Sequence, residues 1–440
     1  MRKAALHNLG CKVNAYETEA MQQMLEDAGY EIVPFKEGAD VYVINTCSVT
    51  NVADKKSRQM LHRAKKLNPS AVVVAAGCYV QAAGEELLKD EAVDIVVGNN
   101  RKQDLIAILD QYFAEHRGAE NIIDIGKTGE YEPLHIRKIS DHTRAFIKVQ
   151  DGCNQFCSYC IIPYTRGRVR SRRPEDVEEE VRTLAEKGYQ EIVLTGIHLS
   201  SYGIDFKEEH QDLLELTKRL HQISGVKRIR FGSLEPRLIT EEFVRELSAM
   251  EKICPHFHLS LQSGCDATLK RMNRHYTCED YLYRCGILRK YFEDPAITTD
   301  VIVGFPGETD EEFAETKKFL EKVHFYEMHV FKYSRRAGTR ADRMPDQVPE
   351  PVKTKRSAEL LALEKEMSKA YRASFLGRET EVLLEEPVEI GGVWYMVGHT
   401  KEYVKAAVPE AGGKNCFVRG VLKEFLTDEI IYLAENPDLG

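Results

Sequence analysis

The stretch AFIKVQDGCNQFCSYC, residues 145–160, joins a strand-like apolar run to three closely spaced cysteines. The cysteines are Cys153, Cys157 and Cys160, in the spacing CxxxCxxC. A barrel of parallel strands and helices builds its active site at the carboxyl ends of its strands. Because the cysteines come directly after the strand pattern, we expect them at such an end.

Five further strand–helix units follow this first strand. Their strand patterns are EIVLTG, VKRIRFG, HFHLSLQ, ITTDVIVG and MHVFKYS, and the helices between successive strands begin near Pro174, Gln211, Thr240, Glu279 and Asp310. Six such units predict a curved, partly closed parallel barrel, a shortened relative of the eightfold one.

Two other regions flank this barrel. Residues 3 to about 112 alternate the strand patterns AALHNL, VYVINT, AVVVAAG and DIVVG with helical ones, which predicts a doubly wound parallel sheet. From about Phe375 the chain changes to short strands and glycine turns, typical of a small antiparallel β-barrel. The fold class is therefore α/β, with expected domains at residues 1–125, 140–370 and 374–440 and a polar linker near residues 121–143.

Composition limits the class of protein. The 440 residues fit roughly three domains of about 150 residues. The net charge of -9 does not point to nucleic acid, and no run approaches the ~18 apolar residues of a membrane helix. The start MRKAALHNLG lacks an apolar signal stretch. We therefore expect a cytoplasmic protein without a membrane segment, and a monomer by default.

The cysteines favour metal or catalytic use, because their number is odd and a cytosolic chain rarely builds a disulfide framework. Three thiolates on the loop 153–160 suit three irons of a cubane iron–sulfur cluster and leave the fourth iron open. The alternative is a zinc site, which usually needs a fourth nearby Cys or His.

Three more cysteines each follow one of the first three predicted strands, in the words LGC, NTC and AGC. They are Cys11, Cys47 and Cys78. Because the carboxyl ends of parallel strands share one edge, these cysteines are predicted to meet there as ligands of a second cluster. The alternative is three buried small side chains, which is also the default for the other five cysteines.

The chain resembles the methylthiotransferase family of radical S-adenosylmethionine enzymes in phrases spread over its length. They include LGCKVNAYETEAM, INTCSVTNVADKKSRQ, QDGCNQFCSYCIIPYTRGRVRSR, LTGIHLSSYG, HLSLQSG, MNRHYT, TTDVIVGFPGET and YSRRAGTRA. The terminal barrel resembles a TRAM domain. Within the family, NLGCKVN, INTCSVT and GCYVQ are most similar to the branch that acts on threonylcarbamoyladenosine in tRNA.

The resemblance implies two [4Fe–4S] clusters, with S-adenosylmethionine as methyl donor and radical source. It implies addition of a methylthio group to carbon two of N6-threonylcarbamoyladenosine in the anticodon stem-loop of tRNA, with flavodoxin or ferredoxin as electron donor. One alternative is a ribosomal-protein aspartate as substrate, because the terminal barrel has six Lys or Arg against twelve Asp or Glu. Another is a non-catalytic iron–sulfur RNA-binding protein.

The resemblance also implies contacts to S-adenosylmethionine at the exits of the barrel strands, with local packing as the alternative for each. The residues are Tyr159, Thr195, Gly196, Ser233, Gln262, Ser263, Arg274, Val303 and Gly304. Arg274 is suited to pair with a carboxylate. Gly304 would let the backbone approach the nucleoside.

Two basic segments are candidates for contact with tRNA. Five arginines follow the first cysteine loop: Arg166, Arg168, Arg170, Arg172 and Arg173. Arginine suits phosphate and base stacking, so we expect substrate contact; the alternative is neutralisation by the acidic helix that follows. The basic helix near residues 52–67 is either an RNA footprint or a solvated face.

Overall fold

The computed structural model describes residues 1–115, 120–138, 143–207, 211–409 and 413–435. Three bodies follow one another along the chain: a six-stranded sheet, a split parallel barrel and a small closed barrel. The expected domain limits at residues 140 and 440 lie outside the described residues. Within those ranges, no helix has the length and apolar character needed to span a bilayer.

The N-terminal sheet is parallel throughout, in the order β2-β1-β3-β4-β5-β6. Its strands are β1 (Lys3–Asn8), β2 (Glu31–Ile32), β3 (Val41–Thr46), β4 (Val72–Gly77), β5 (Ile95–Val97) and β6 (Glu120–Asn121). Its helices are α1 (Lys12–Asp27), α2 (Asn51–Leu67), α3 (Cys78–Leu87) and α4 (Leu105–Glu115). Strands β3 and β4 are buried along their whole length because apolar clusters cover both faces of the sheet, as the doubly wound prediction requires.

The central barrel contains all six predicted strands. The strands of this region are β7 (Arg144–Asp151), β8 (Arg170–Ser171), β9 (Glu191–Gly196), β10 (Arg228–Phe231), β11 (Ser233–Leu234), β12 (His256–Leu259), β13 (Ala296–Val303) and β14 (Glu327–Lys332). Its helices are α5 (Ile162–Thr165), α6 (Pro174–Glu186), α7 (Leu213–His221), α8 (Glu241–Ser248), α9 (Asp266–Arg271), α10 (Cys278–Tyr291), α11 (Asp310–Val323) and α12 (Glu350–Ala373). The strands form two sheets, β10-β9-β7-β8 and β11-β12-β13-β14, which an isolated bridge between Ile229 and Ile253 connects.

Local sequence fixes where two of the outer helices begin. The side chains of Thr277 and Asp280 form a reciprocal capping box at the start of α10, and Thr309 and Glu312 form another at α11. A capping box satisfies backbone N–H groups that have no partner in the first helical turn. The caps therefore fix the first residues of α10 and α11, which lead to the next strands, β13 and β14.

The terminal barrel closes with five strands in the order β15-β16-β17-β19-β18. They are β15 (Glu379–Ile390), β16 (Val393–His399), β17 (Lys405–Pro409), β18 (Phe417–Phe425) and β19 (Ile430–Glu435). Four pairings are antiparallel, as predicted, but β17 and β19 run parallel, which corrects the wholly antiparallel expectation. An odd number of strands cannot alternate direction all the way around a closed barrel, so one parallel pair is unavoidable.

The terminal barrel docks on the amino-terminal end of the central barrel, opposite the cysteines. The ring of Tyr403 stacks between His256, at 4.7 Å, and His399, at 4.3 Å. Arg144, the first residue of β7, pairs with Glu385 at 3.1 Å and lies 4.9 Å from the Tyr403 ring. Acidic side chains of the terminal barrel thus face cations of the central one.

We expect Tyr403→Ala to lower the free energy of unfolding by about 2–3 kcal/mol, because the change removes the stack that joins the two barrels. Urea titration followed by circular dichroism measures it. The matched control is Trp394→Ala, since Trp394 is also a large aromatic residue of this barrel but is 51% exposed; it should cost less than about 0.5 kcal/mol. Equal losses in the two variants would contradict the docking role of Tyr403.

Candidate active site

Three cysteines meet at the carboxyl edge of the N-terminal sheet. Cys11 precedes α1, Cys47 follows β3, and Cys78 is the first residue of α3 after β4. Strands β1, β3 and β4 are parallel neighbours, so their carboxyl ends share this edge. All three thiols are free of disulfides and interact electrostatically with one another. We call them the edge trio.

Two glycines allow the edge trio to come together. Gly10 has φ +104°, and a Cβ there would lie 2.8 Å from the Cβ of Cys47. Gly77 has φ +95°, and a Cβ there would lie 2.5 Å from Oδ1 of Asn45. Only glycine combines a left-handed backbone with the absence of a side chain. Steric crowding at Gly10 and Gly77 therefore explains why glycine precedes the cysteine in LGC and AGC.

The other three predicted ligands lie on the loop that follows β7, and we call them the loop trio. The thiols of Cys153, Cys157 and Cys160 interact electrostatically with one another. The neighbouring turns hold this loop: the backbone N–H of Cys153 donates to the carbonyl of Gly167 at 3.0 Å, and that of Ser158 donates to Met272 at 3.0 Å. The loop is thus tied to the rim of the barrel on two sides.

Each trio has one arginine that donates to one of its sulfurs. Nε of Arg166 donates to Sγ of Cys78 at 3.2 Å, and Nη1 of Arg274 donates to Sγ of Cys157 at 3.3 Å. Burial raises the pKa of Cys47 and of Cys153 to about 11, so neither ionises readily alone. A guanidinium that donates to a sulfur stabilises the thiolate form of that cysteine. Three thiolates that lie close together suit a [4Fe–4S] cluster with one iron left open.

A buried group of charges lies between the two trios. The carboxylate of Glu17, on α1, accepts from Arg166 at 3.1 Å, from Lys148 at 2.7 Å and from Lys102 at 3.2 Å. Asp151 pairs with Lys148 at 2.7 Å and with Arg166 at 3.2 Å. Burial alone would raise the pKa of Glu17, but Arg166 and the two lysines hold it well below its usual range. We call these five residues the central charge network; it joins the N-terminal sheet to the barrel.

The sequence interpretation missed Glu17 and Lys148, although a signal was present. Lys148 stands in the middle of the apolar strand AFIKVQ, and Glu17 lies on the buried face of α1 beside Tyr16. A charged residue on a face that is otherwise buried is almost always paired. That pattern indicates a buried ion pair but does not name its partner.

The prediction of tRNA contact is wrong for three of the five arginines that follow the loop trio, because they are buried: Arg166, Arg170 and Arg172. Arg172 pairs with Glu180 of α6 at 3.0 Å, which is the neutralisation considered as the alternative. Arg168 and Arg173 are exposed, and their guanidinium groups lie over aromatic rings. Only these two remain available to a nucleic acid.

The residues predicted to contact S-adenosylmethionine lie along the barrel rim in different settings. Tyr159 packs edge-on against Phe305, with 6.3 Å between the ring centroids. Thr195 and Gly196 end β9 and are buried and half-buried, respectively. Ser233, after β10, is exposed, whereas Gln262 and Ser263, after β12, are buried. Their role stays a prediction.

Arg274 and Ser263 already have partners within the protein. Besides Cys157, Arg274 donates to the carbonyl of Ser260 at 3.2 Å and to the hydroxyl of Tyr276 at 2.9 Å. The Oγ of Ser263 lies 3.3 Å from Oγ1 of Thr316. Among the residues the structure describes, the contacts of Arg274 are to sulfur, carbonyl and hydroxyl rather than to a carboxylate.

Gly304, after the buried Val303, has a closer neighbour than the expected nucleoside. Its φ is +72°, and a Cβ there would lie 2.3 Å from Cγ of Lys353. Lys353 belongs to α12 and donates to the carbonyl of Tyr333 at 3.0 Å. The sequence interpretation had no helix in this place, so it did not predict this packing; contact of Gly304 with the nucleoside stays a prediction.

We expect Glu17→Gln to lower the free energy of unfolding by about 3–5 kcal/mol, because it leaves buried cations without their counter-charge. Since the folded pKa of Glu17 lies well below the ordinary 4.5, its contribution is complete above that pH and is lost as pH falls below it. Urea unfolding at several pH values measures both effects. The control Glu241→Gln, on an exposed pair with Lys290, should change little; a loss as large as that of Glu17→Gln would contradict the role of burial.

Comparison with known proteins agrees with this arrangement. The radical SAM superfamily matches residues 147–320, and the uncharacterized protein family UPF0004 matches residues 3–98. The fold resembles the radical S-adenosylmethionine methyltransferase TsrM from Kitasatospora setae, with a TM-score of 0.57 and 16% identity over 78% of this chain and 77% of that one.

Curated relatives match nearly the whole chain. The threonylcarbamoyladenosine tRNA methylthiotransferase MtaB of Bacillus subtilis is 46% identical over 92% of this chain and 90% of its own length. The protein of the same name from Aquifex aeolicus is 40% identical over 87% and 93%. The tRNA-2-methylthio-N(6)-dimethylallyladenosine synthase of Moorella thermoacetica is 38% identical over 86% of each chain. With two cysteine trios on one chain and relatives of this identity, the protein belongs to the methylthiotransferase family of radical S-adenosylmethionine enzymes.

Proposed function

We propose that this chain adds a methylthio group to carbon two of N6-threonylcarbamoyladenosine, next to the anticodon of tRNA. The observation that carries the proposal is the pair of cysteine trios, each with an arginine donating to one sulfur. The choice of nucleoside draws on the 46% identical relative, whose name specifies threonylcarbamoyladenosine.

Enzymes of this family use two [4Fe–4S] clusters and S-adenosylmethionine. We assign the loop trio to the cluster that binds S-adenosylmethionine and the edge trio to the second cluster, each with one iron left open. When bound, these cofactors supply the methyl group and the radical chemistry that an aromatic carbon–hydrogen bond requires.

The residues of the chain hold this chemistry in place. Arg166 and Arg274 offset negative charge on the sulfurs, and the central charge network fixes the sheet against the barrel. Tyr403 and its neighbours close the far end of the barrel. The closed end keeps bulk water from that side of the reaction, which favours radical over hydrolytic outcomes.

The finer assignments belong to the same proposal. Residues 1–125 carry the edge trio, 140–370 the loop trio and 374–440 the closing barrel. The rim residues act on S-adenosylmethionine: Tyr159, Thr195, Gly196, Ser233, Gln262, Ser263, Arg274, Val303 and Gly304. The protein is a cytoplasmic monomer that receives electrons from flavodoxin or ferredoxin.

Two observations support RNA rather than a protein as substrate. Four cations on α2 are exposed and have no ion pair among the described residues: Lys55, Lys56, Arg63 and Lys66. Such a face attracts phosphate. The acidic terminal barrel, which kept a ribosomal-protein aspartate open, instead directs Glu381 and Glu385 at Arg228 and Arg144.

Deletion of the gene should abolish 2-methylthio-N6-threonylcarbamoyladenosine in tRNA while the unmethylthiolated nucleoside accumulates. Mass spectrometry of tRNA digests measures both, and a plasmid copy of the gene should restore the modification. Unchanged methylthio-nucleosides in the deletion strain would rule out the proposed substrate.

Cys153→Ala and Cys47→Ala should separate the two trios. Reconstituted without oxygen, each should bind about four irons instead of about eight. Cys153→Ala should form no 5′-deoxyadenosine, whereas Cys47→Ala should still form it but transfer no methylthio group. The control Cys416→Ala, an exposed cysteine outside both trios, should keep about eight irons. Full iron content in either trio variant would disprove the ligand assignment.

A further inference from the structure

The segment that follows β14 connects the central barrel to the N-terminal sheet beside the edge trio. It carries the phrase YSRRAGTRA, which neither the cysteine trios nor the rim residues explain. Arg336 in this phrase is buried, although its neighbours Arg335 and Ala337 are both exposed. A buried arginine between two exposed residues indicates a specific partner, because an unpaired charge is costly to bury.

Three side chains next to Cys47 accept from the guanidinium of Arg336. Its Nη2 donates to Oγ of Ser48 at 2.7 Å, and its Nη1 donates to Oδ1 of Asn51 at 2.8 Å. Nη1 also pairs with Oδ2 of Asp54 at 2.6 Å. Ser48 follows Cys47 directly, and Asn51 and Asp54 lie in the first turn of α2. Arg336 therefore holds the connection from β3 to α2, on which Cys47 lies.

Two further contacts tie this connection together. Ser57 of α2 donates its Oγ to the carbonyl of Cys47 at 3.1 Å and accepts from the backbone N–H of Cys47 at 3.3 Å. The backbone N–H of Asn51 donates to Oγ of Ser334, in the segment after β14, at 3.2 Å. A shift of α2 therefore shifts Cys47, because Ser57 joins both backbone groups of that cysteine to the helix.

The same segment reaches the loop trio a few residues later. The carbonyl of Arg336 accepts from the backbone N–H of Thr339 at 3.1 Å and from its Oγ1 at 2.7 Å, which closes a tight turn. The backbone N–H of Ala341 then donates to the carbonyl of Ser158, on the loop that carries the loop trio, at 2.8 Å. We call residues 336–341 the bridging turn, because it contacts the loops of both trios.

The end of the bridging turn at the loop trio is closely packed. Ala341 is fully buried in a small apolar cluster with Phe305 and Tyr333. Ser158 is held from its other side, because its hydroxyl donates to the carbonyl of Arg271 at 2.8 Å. Close packing leaves such residues little room to shift. This end is therefore a fixed point from which the side chain of Arg336 extends to the sheet.

Two separate contacts fix an orientation that one contact would leave open. The central charge network joins the sheet to the barrel beside Cys78, through Arg166. A single contact region still allows rotation about it. Arg336 adds a second region beside Cys47, at the exit of a different strand, and opposes that rotation. Because an unpaired buried charge is costly, the two regions together select one orientation of the sheet on the barrel.

We propose that Arg336 is a positioning residue that holds the edge trio at the separation from the loop trio that methylthio transfer requires. The proposal rests on the function proposed above and deepens it. Transfer needs both sites, whereas cleavage of S-adenosylmethionine needs only the loop trio. A misplaced edge trio therefore reduces transfer far more than cleavage, since reaction rates depend steeply on the position of the reacting groups.

The test measures two products of the reconstituted full-length enzyme, with an anticodon stem-loop RNA that contains N6-threonylcarbamoyladenosine. Arg336→Met should raise the amount of 5′-deoxyadenosine formed per methylthiolated nucleoside by about tenfold or more, as a misplacement of about 1 Å predicts. The variant should keep about eight irons. Arg336→Lys should recover part of the coupling, because an ammonium replaces the charge but not the fork of donors.

Hydrogen exchange gives a second readout that does not depend on turnover. In Arg336→Met, the backbone amides of residues 47–54 should exchange several-fold faster than in the wild type, because their connection to the barrel is lost. The amides of β5, which lies in the same sheet but away from Arg336, should keep their wild-type rates. Mass spectrometry of the peptides measures both regions.

Arg335→Met is the matched control for Arg336→Met. The side chain of Arg335 is 56% exposed and pairs with Asp342 at 2.9 Å, so its loss should change neither the product ratio nor the exchange. Asp54→Asn removes the ion pair with little change of shape and should raise the product ratio less than Arg336→Met does. The double variant should match Arg336→Met, because both substitutions act on one contact.

The outcomes separate a positioning role from a purely structural one. Equal losses of both products in Arg336→Met, or a loss of about four irons, would overturn the positioning role while the proposed function stands. If Arg336→Met does not fold, unchanged product ratios in Arg336→Lys and Asp54→Asn would overturn it. If the wild type forms 5′-deoxyadenosine but transfers no methylthio group to the RNA, the proposed function fails, and the positioning role fails with it.

Discussion

The carboxylate of Glu17, buried among three cations, is the constraint on which the arrangement of the two trios depends. Removing charges from water is costly, and only well-placed opposite charges offset that cost. Glu17 comes from α1, whereas Lys148 and Arg166 come from the barrel, so the cost is offset in one docking geometry only. That geometry places Arg166 against Cys78 and fixes the distance between the trios.

Much of this arrangement follows from the periodicity of the sequence. Apolar runs ended by LGC, NTC and AGC specify strands whose exits share an edge, and six strand patterns specify the barrel, because both signals are local. The burial of Arg166 is not a local effect, because its counter-charge Glu17 comes from α1 in a distant part of the chain, and no local spacing predicts that pairing. Arg172 instead pairs with Glu180 of the helix that follows, which is the local alternative considered from the sequence.

The remaining differences have similar origins. The parallel pair β17–β19 follows from the odd number of strands in the closed barrel, of which β19 is the fifth. Lys353 fills the space beside Gly304 because α12 returns across the barrel rim, and its glycine signal is the same as that of a ligand site. Sequence reasoning locates special backbone positions well, but it does not identify which group uses them.

The stack of Tyr403 on His256 also affects the order in which ligands bind inside the barrel. Because the terminal barrel covers this end of the central barrel, ligands enter from the opposite rim. A ligand that binds deeper in the barrel must therefore enter first and leave last. Under the proposed function, the nucleoside and S-adenosylmethionine would both pass this rim. Depth in the barrel, as well as affinity, would then set their order of binding.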